Sequence, residues 1–130
     1  MATLFAKTTG TQQVASSQFV NMEGLKLELP AKTSGLRSAL IILNVPMPYA
    51  KGNDYPGINF QITYNGEAVG NGGFTYSQQQ PQAFGRQPFT LVAQVELKDT
   101  TTSIIQAQWS NVRGSTGIID SYACISAILN

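Results

Sequence analysis

Strict alternation of apolar and polar residues recurs along this chain and constrains its fold more than any other feature. It runs through residues 58–64, 91–97 and 105–109, where every second residue is apolar. A period of two places each apolar set on one face of a β-sheet. No helical period of 3.6 residues extends over a useful length. The sequence therefore predicts an all-β fold.

Turn signals separate these runs and divide the chain into short strands. Asn65-Gly66, between two alternating segments, is a strong signal for a two-residue hairpin. Further turn residues occur at 33–35, 51–53, 98–100 and 113–115. About eight to ten strands predict a sandwich of two antiparallel sheets, most simply a jelly roll.

Several segments depart from simple alternation. Residues 39–45 and 118–129 are apolar at nearly every position, so both faces of each strand should be covered. The final strand, 118–129, lies either in the middle of the sandwich or against another subunit, and the second arrangement is favoured. Residues 19–29 should form two short strands around Glu23-Gly24. Residues 78–85 are polar and predict a long exposed loop, which either binds a ligand or is simply solvated.

The chain carries few charges, and this excludes several kinds of partner. Charged residues make up 12% of the sequence and the net charge is +1, whereas typical soluble domains have about 25% charged residues. Such a composition argues against a nucleic-acid partner and against a polybasic membrane anchor. The polar surface must consist of neutral Gln, Thr, Ser and Asn. It suits a neutral polyol partner or a rigid structural protein equally well.

Histidine is absent, and Cys124 is the only cysteine. These absences remove Ser-His and Cys-His catalytic pairs, His-ligated zinc and an internal disulfide. Cys124 lies in an apolar stretch and should be a buried small hydrophobic residue. The seven acidic residues form no calcium-loop motif. A glycosidase would need two carboxylates across a cleft, so no enzymatic activity, metal or cofactor is predicted.

The first residues lack the apolar core of a signal peptide, and no apolar run reaches the about 20 residues of a membrane helix. The sequence therefore predicts cytoplasmic synthesis without membrane insertion. It leaves open release or surface display by another route. The length fits one domain, residues 1–130.

An ordered set of short motifs between about residues 19 and 128 resembles one known family. The motifs are Asn44-Val45-Pro46, Pro48-Tyr49-Ala50, Gly52-Asn53, Pro56-Gly57-Ile58, Phe74-Thr75-Tyr76-Ser77, Gly85-Arg86, Pro88-Phe89-Thr90-Leu91-Val92-Ala93, Gln108-Trp109, Val112-Arg113-Gly114-Ser115 and Ile119-Asp120-Ser121-Tyr122-Ala123. Each motif is weak alone, but the ordered set is specific. It resembles the fucose-binding N-terminal domain of the Burkholderia two-domain superlectin.

This resemblance implies a TNF-like jelly-roll sandwich of two antiparallel sheets that assembles as a homotrimer. It also implies a lectin that binds L-fucose and fucosylated glycans of H-type and Lewis-like structure without calcium. Each sugar would lie between two subunits, which gives three sites per trimer. Whether a second, calcium-dependent lectin domain follows, as in the superlectin, is left open by the sequence.

The resemblance further implies which residues contact the sugar. Thr75, Tyr76 and Arg86 match the sugar-contacting group of one subunit, and Tyr49 and Arg113 match contacts at the same interface. An arginine fork can hold two neighbouring oxygens at fixed geometry. A tyrosine offers an apolar ring face together with a hydroxyl group.

Four positions depart from the family pattern and bear on the exact glycan. Ala83 and Phe84, also predicted to contact the sugar, stand where the family has two hydroxyl residues. Asn59 replaces a tyrosine, and Asn71 replaces an acid, so the pocket rim is less acidic. The positions expected to make secondary glycan contacts are Asn59, Asn71, Asp120 and Ser121.

The same side chains also have purely structural interpretations. Arg86 could pair with Asp120 or Glu67, and Arg113 could be an ordinary turn residue. Tyr76 could be a wedge in the sandwich, and Thr75 could be an edge-strand threonine. Two other functions stay open at this point, a TNF-like trimeric ligand for a protein and a structural domain without sugar specificity.

Overall fold

A computed structural model describes residues 2–52, 55–76 and 86–130. Within these ranges the chain forms eleven β-strands and no helix. The strands are β1 (Ala2–Lys7), β2 (Gln12–Val14), β3 (Val20–Leu29), β4 (Ser38–Val45), β5 (Tyr49–Lys51), β6 (Gly57–Tyr64), β7 (Glu67–Thr75), β8 (Phe89–Glu96), β9 (Ser103–Val112), β10 (Thr116–Ile119) and β11 (Cys124–Leu129).

The long strands form two four-stranded antiparallel sheets that pack as a sandwich. One sheet has the order β1-β11-β4-β8, and the other has the order β3-β9-β6-β7. Neighbours in each sheet are mostly distant in sequence, as in a jelly roll. A short third sheet, β2-β10-β5, lies beside the start of β6, where Gly117 of β10 meets Ile58. The predicted all-β sandwich is confirmed.

The core is the set of inward-facing side chains of the two long sheets. Phe60 on β6 lies at its centre, fully buried, with its ring centroid 4.6 Å from that of Phe89 on β8. Trp109 on β9 packs on Phe60, with the two ring centroids 6.4 Å apart. Because Phe60 and Phe89 belong to different sheets, this aromatic stack fixes the sheets against each other.

The alternating segments behave as predicted. Ile58, Phe60 and Ile62 are fully buried along β6, whereas Asn59 is exposed and Gln61 lies at intermediate depth. Thr63, which follows Ile62, departs from the alternation because it is buried as well. The hairpin predicted at Asn65-Gly66 joins β6 to β7, and both residues have positive φ, 51° and 87°. Positive φ at both central positions is the geometry that two-residue hairpins require.

Two strand predictions were wrong. Residues 20–29 form one strand, β3, because the chain passes Gly24 (φ 86°) with only a register shift between Asn21 and Lys26. Residues 118–129 contain the end of β10 and all of β11, two strands that belong to different sheets. Together with the N-terminal β1 and β2, the described residues contain eleven strands, above the predicted range.

The outer face of the β1-β11-β4-β8 sheet is mixed in polarity and carries an exposed apolar patch. One cross-strand row aligns Phe5, Ser126, Ile42 and Val92, and Phe5 and Val92 are 61% and 53% exposed. Leu40 in the next row is also exposed. Within one chain, residues 39–45 are therefore fully covered on one face only, so the predicted coverage of both faces requires another subunit.

Cys124 also differs from the sequence prediction. It is half-buried rather than fully buried. Its register with Asn44 places it on the outward side of β11, between the inward-facing Ala123 and Ile125. Alternation along β11 explains this position, because every second residue of a strand faces away from the core.

Two glycines allow β6 and β7 to approach closely next to predicted site residues. Gly73 pairs with Asn59, and Gly57 pairs with Thr75. A Cβ at Gly73 would overlap the carbonyl oxygen of Ile58 and lie 3.1 Å from Asn59 Oδ1. A Cβ at Gly57 would similarly lie 3.0 Å from Thr75 Oγ1. The glycines thus leave room for both outward-facing side chains.

Substitution Gly73→Ala should destabilise the protein, because the added methyl group meets backbone that cannot move aside easily. We expect a loss of about 1–3 kcal/mol in the free energy of unfolding, measured by urea denaturation. The control Gly35→Ala adds a methyl group where nothing lies within 4 Å, and should change it by less than about 0.5 kcal/mol. Equal effects of the two substitutions would contradict this account.

A candidate sugar-binding site at one end of the sandwich

Four of the predicted site residues meet at the end of the sandwich where the short sheet lies. Tyr49 is in β5, Tyr76 follows β7, Arg86 precedes β8, and Asp120 follows β10. We call these four residues the Arg86 cluster. They come from segments distant in sequence, and the fold alone brings them together.

Asp120 binds the guanidinium of Arg86 through two hydrogen bonds. Nη1 of Arg86 lies 2.6 Å from Oδ1 of Asp120, and Nη2 lies 2.9 Å from Oδ2. Nη1 also donates to the backbone carbonyl of Met47 at 2.9 Å. The side chains of Arg86 and Asp120 are 19% and 38% exposed. Within the single chain, Arg86 therefore forms the ion pair with Asp120 that its structural interpretation predicted.

Aromatic rings complete the surroundings of Arg86. Its Cζ atom lies 4.4 Å from the centroid of the Tyr49 ring, a cation–π distance. Tyr76 is largely buried, and its ring meets that of Phe74 edge-on, with centroids 5.4 Å apart. Tyr76 thus also packs as a wedge in the sandwich, as its structural interpretation predicted.

The electrostatics of the cluster favour the charged pair. Hydrogen bonds from Arg86 lower the pKa of the Asp120 carboxyl below its usual value, and the same bonds raise the pKa of Arg86. Burial raises the pKa of Tyr76, against the opposing effects of a backbone hydrogen bond at Ala50 and the charge of Arg86. Arg86 and Asp120 are both ionised at neutral pH, and their charges cancel locally.

One edge of the Arg86 guanidinium meets no acceptor among the residues that the structure describes. Within residues 2–52, 55–76 and 86–130, three of its five N–H donors meet acceptors, two on Asp120 and one on Met47. The other two, Nε–H and the second hydrogen of Nη2, point from the same edge of the planar group. Such an edge can donate two parallel hydrogen bonds to adjacent oxygens.

Arg113 lies in the tight turn that joins β9 to β10. The turn is closed by the Ser115 amide, which donates to the Val112 carbonyl at 3.1 Å. Arg113 has φ 52° and is exposed, a left-handed conformation that costs a non-glycine residue on the order of 1 kcal/mol. Its guanidinium carbon lies 5.8 Å from the ring centroid of Tyr55. Arg113 is thus a turn residue, as its structural interpretation predicted. Arginine is nevertheless an unfavourable residue type at a position with positive φ.

Arg113 belongs to the same end of the molecule as the Arg86 cluster. Its Nη1 lies 3.5 Å from the carbonyl of Tyr55. The next residue, Pro56, accepts a 2.8 Å hydrogen bond from the amide of Tyr76. Tyr55 and Pro56 therefore connect the two arginine-bearing regions within one chain.

The remaining predicted contacts line an open groove beside the cluster. The groove, about 470 Å³ in volume, runs over the outer face of β6 and β7. Asn59, Asn71 and Thr75 lie along it, and Gly73 lies between them. Sequence reasoning missed Phe19, whose ring lines the same groove, because it precedes β3 and follows no alternating pattern.

Three further predicted residues, Ser121, Ala83 and Phe84, differ in what the structure describes of them. The hydroxyl oxygen of Ser121, next to Asp120, is buried, and no hydrogen-bond partner for it occurs in the described part of the chain. Ala83 and Phe84 lie outside the described residues, as does the predicted loop 78–85. Sequence reasoning also missed the Met47 carbonyl, because backbone acceptors leave no signal in side-chain pattern.

No candidate metal site occurs in the part of the chain that the structure describes. Its His, Cys, Asp and Glu residues form no group of three or more that could hold an ion. None of its elements is a helix long and apolar enough to span a membrane.

Comparison with known proteins identifies the family. The sequence model of the Bc2l-C N-terminal domain matches residues 9–128. The chain belongs to the Bc2l-C N-terminal domain family. The predicted resemblance to this lectin family is thereby confirmed, and membership supports carbohydrate binding as the role of the chain.

Solved structures resemble this Bc2l-C family member only distantly. One is the insecticidal delta-endotoxin Cry8Ea1 from Bacillus thuringiensis, with 14% identity and a TM-score of 0.48 over 91% of this chain. The chain spans 19% of the toxin's length. Another is the C-terminal domain of EclA, a sugar-binding protein, with 11% identity, a TM-score of 0.48, and coverage of 90% of this chain and 78% of that domain. No curated protein matches the sequence.

The Arg86–Asp120 pair should give this Bc2l-C domain an acid-sensitive increment of stability. Because the folded state lowers the pKa of Asp120, the increment is present above the usual value near 3.8 and is lost as the pH falls through the lowered pKa. Asp120→Asn should therefore lower the unfolding midpoint at pH 6 but not at about pH 2. The increment should be at most about 1 kcal/mol, since the pair is partly exposed.

The control for this comparison is Asp99→Asn, which removes an exposed pair with Lys32 (N–O distance 3.6 Å). It should leave the midpoint nearly unchanged at both pH values. A pH-independent difference between the Asp120→Asn variant and the parent protein would contradict the assignment of this pair.

Proposed function

We propose that this domain binds L-fucose and fucosylated glycans, of H-type or Lewis-like structure, at sites between the subunits of a homotrimer and without calcium. The observation that carries the proposal is the state of Arg86. Asp120, the Met47 carbonyl and the Tyr49 ring hold its guanidinium in place. The edge with two remaining donors is thus fixed before any ligand arrives.

A fixed guanidinium edge suits a pair of neighbouring sugar hydroxyls. The two parallel N–H groups match two adjacent oxygens, as they would in a bidentate pair. A preorganised side chain loses little conformational entropy on binding, so more of the hydrogen-bond energy contributes to affinity. Thr75, exposed at the end of β7, lies next in sequence to Tyr76 of the cluster and offers a further hydroxyl.

The exposed apolar patch on the outer face of the β1-β11-β4-β8 sheet supports the homotrimer. Phe5, Leu40 and Val92 are exposed in the single chain, and Ser126 and Ile42 lie in the row between Phe5 and Val92. Exposed apolar patches rimmed by polar residues mark association sites in soluble proteins. The predicted docking of the final strand on another subunit fits this face, because β11 is one of its two central strands.

Arg113 is proposed to reach the sugar bound to the neighbouring subunit. Its unfavourable left-handed φ supports a functional role, because strained residues persist most often at binding and active sites. The exposed turn between β9 and β10 projects it from the site end of the sandwich. One arginine from each subunit would then hold the sugar across the interface.

The groove beside the cluster would contact the rest of a longer glycan. Asn59 and Asn71 place neutral amides there, where the family pattern has an aromatic residue and an acid. Amides both donate and accept hydrogen bonds, so they suit neutral sugar hydroxyls. We expect the preferred oligosaccharide, rather than the fucose core, to differ from that of other family members.

Substitution Arg86→Ala should abolish fucoside binding. It removes two hydrogen bonds from a charged donor, each worth about 1.5–3 kcal/mol, so the affinity for methyl α-L-fucoside should fall at least about 100-fold. Titration calorimetry measures this, in the presence and absence of EDTA. EDTA should have no effect on the parent protein.

The matched control is Arg37→Ala, which removes an exposed arginine next to the opposite end of β4. Its affinity should equal that of the parent protein. Lack of binding by the parent protein at millimolar fucoside would contradict the proposed function, as would undiminished binding by the Arg86→Ala variant.

Substitution Val92→Asp should disrupt the trimer, because it places a charge in the exposed apolar patch of the outer face. Light scattering should give three times the 14.0 kDa chain mass for the parent protein and a lower mass for the variant. The control Val69→Asp changes an exposed valine of the other sheet and should leave the trimer intact. A monomeric parent protein would contradict the proposed assembly.

A further inference from the structure

The site at Arg86 contains a cation whose charge is already balanced. Both carboxylate oxygens of Asp120 bind the guanidinium, at 2.6 and 2.9 Å. Asp99, the other carboxylate whose ion pair is described, lies elsewhere and pairs with Lys32. Asp120 therefore helps to hold Arg86 in position and contributes negative charge to the electrostatic potential that a ligand meets there.

A ligand on the remaining edge of Arg86 would lie close to Asp120. Nη2 donates one hydrogen to Oδ2 of Asp120, and its other hydrogen belongs to the remaining edge. Two acceptors on one NH₂ group are separated by about 5 Å, given hydrogen bonds of about 2.9 Å. A ligand oxygen at this edge is therefore near a negatively charged carboxylate.

We infer that Asp120 is a specificity-determining residue, which makes the site select neutral sugars with adjacent hydroxyls and reject acidic sugars. The inference rests on the proposed sugar-binding function and concerns the same site. It assigns to Asp120 a role beyond holding Arg86 in place.

The physical reason is the difference between a hydroxyl pair and a carboxylate at the same edge. An unpaired arginine prefers a carboxylate, because the two-point ionic pair is the stronger one. With Asp120 present, a second carboxylate would meet like charge at about 5 Å, an unfavourable interaction even in a partly exposed site. Neutral hydroxyls do not meet this repulsion, and they gain from the fixed orientation of the donors.

The test compares two sugars that differ only at one carbon, L-galactose and its acid, L-galacturonate. Calorimetric or NMR titration at pH 7 gives the affinity of each sugar, and of methyl α-L-fucoside, for the parent protein and for Asp120→Asn. Relative to the parent protein, the Asp120→Asn variant should bind the fucoside more weakly. Its ratio of acidic to neutral affinity should rise at least about tenfold.

Two further variants keep the result interpretable. Asp120→Glu retains the charge, so it should retain the preference for neutral sugar even where its affinity is reduced. Asp99→Asn removes the carboxylate of the Lys32 pair, and its affinity ratio should equal that of the parent protein. If Asp120→Asn does not fold, the Asp120→Glu variant and the parent protein still test selectivity, since equal or tighter binding of galacturonate by either would overturn the inference.

The outcomes separate the two proposals. Absence of all sugar binding by the parent protein would overturn the proposed function and the inference with it. Sugar binding by the parent protein with an unchanged affinity ratio in Asp120→Asn would overturn only the role of Asp120. Asp120→Asn changes the local charge by one unit and leaves Arg113 of the neighbouring subunit unchanged. The shift in the ratio of acidic to neutral affinity therefore reports on Asp120 itself.

Discussion

The two-point ion pair between Arg86 and Asp120 is the interaction on which the candidate site depends. It fixes a long side chain, balances its charge and leaves one pair of N–H donors without an acceptor among the described residues. The Tyr49 ring covers the guanidinium at a cation–π distance. Arginine is suited to this arrangement because its planar group has separate edges, one for a structural partner and one for a ligand. A lysine at this position could not divide its contacts in this way.

The fold provides the frame for this pair through two constraints. The stacked rings of Phe60 and Phe89 fix the two sheets against each other, and the close approach of β6 and β7 at Gly57 and Gly73 shapes the adjoining groove. The site elements β5, β10 and the end of β7 then converge at one end of the sandwich. A rigid scaffold with recognition residues at its ends is the usual arrangement in β-sandwich binding proteins.

Much of the fold could be predicted from the sequence, because alternation and turn chemistry are local. The strand at 58–64 and the Asn65-Gly66 hairpin needed only neighbouring residues. The split of 118–129 into β10 and β11 could not be predicted, because it depends on which sheet each half joins. Of the site, the residues of the Arg86 cluster came from family resemblance, and periodicity gave no sign of them. Their mutual geometry, including the Met47 carbonyl, is a tertiary property that no local pattern encodes.

The central claim is that each sugar site combines Arg86 of one subunit with Arg113 of its neighbour. Subunit mixing tests it most directly: Arg86→Ala and Arg113→Ala chains are unfolded together, refolded as mixed trimers, and titrated with fucoside. Each variant alone should bind nothing, whereas an equal mixture should regain about one quarter of the sites, because one in four interfaces of a cyclic trimer then unites two intact arginines. A mixture that recovers no sites would contradict the claim.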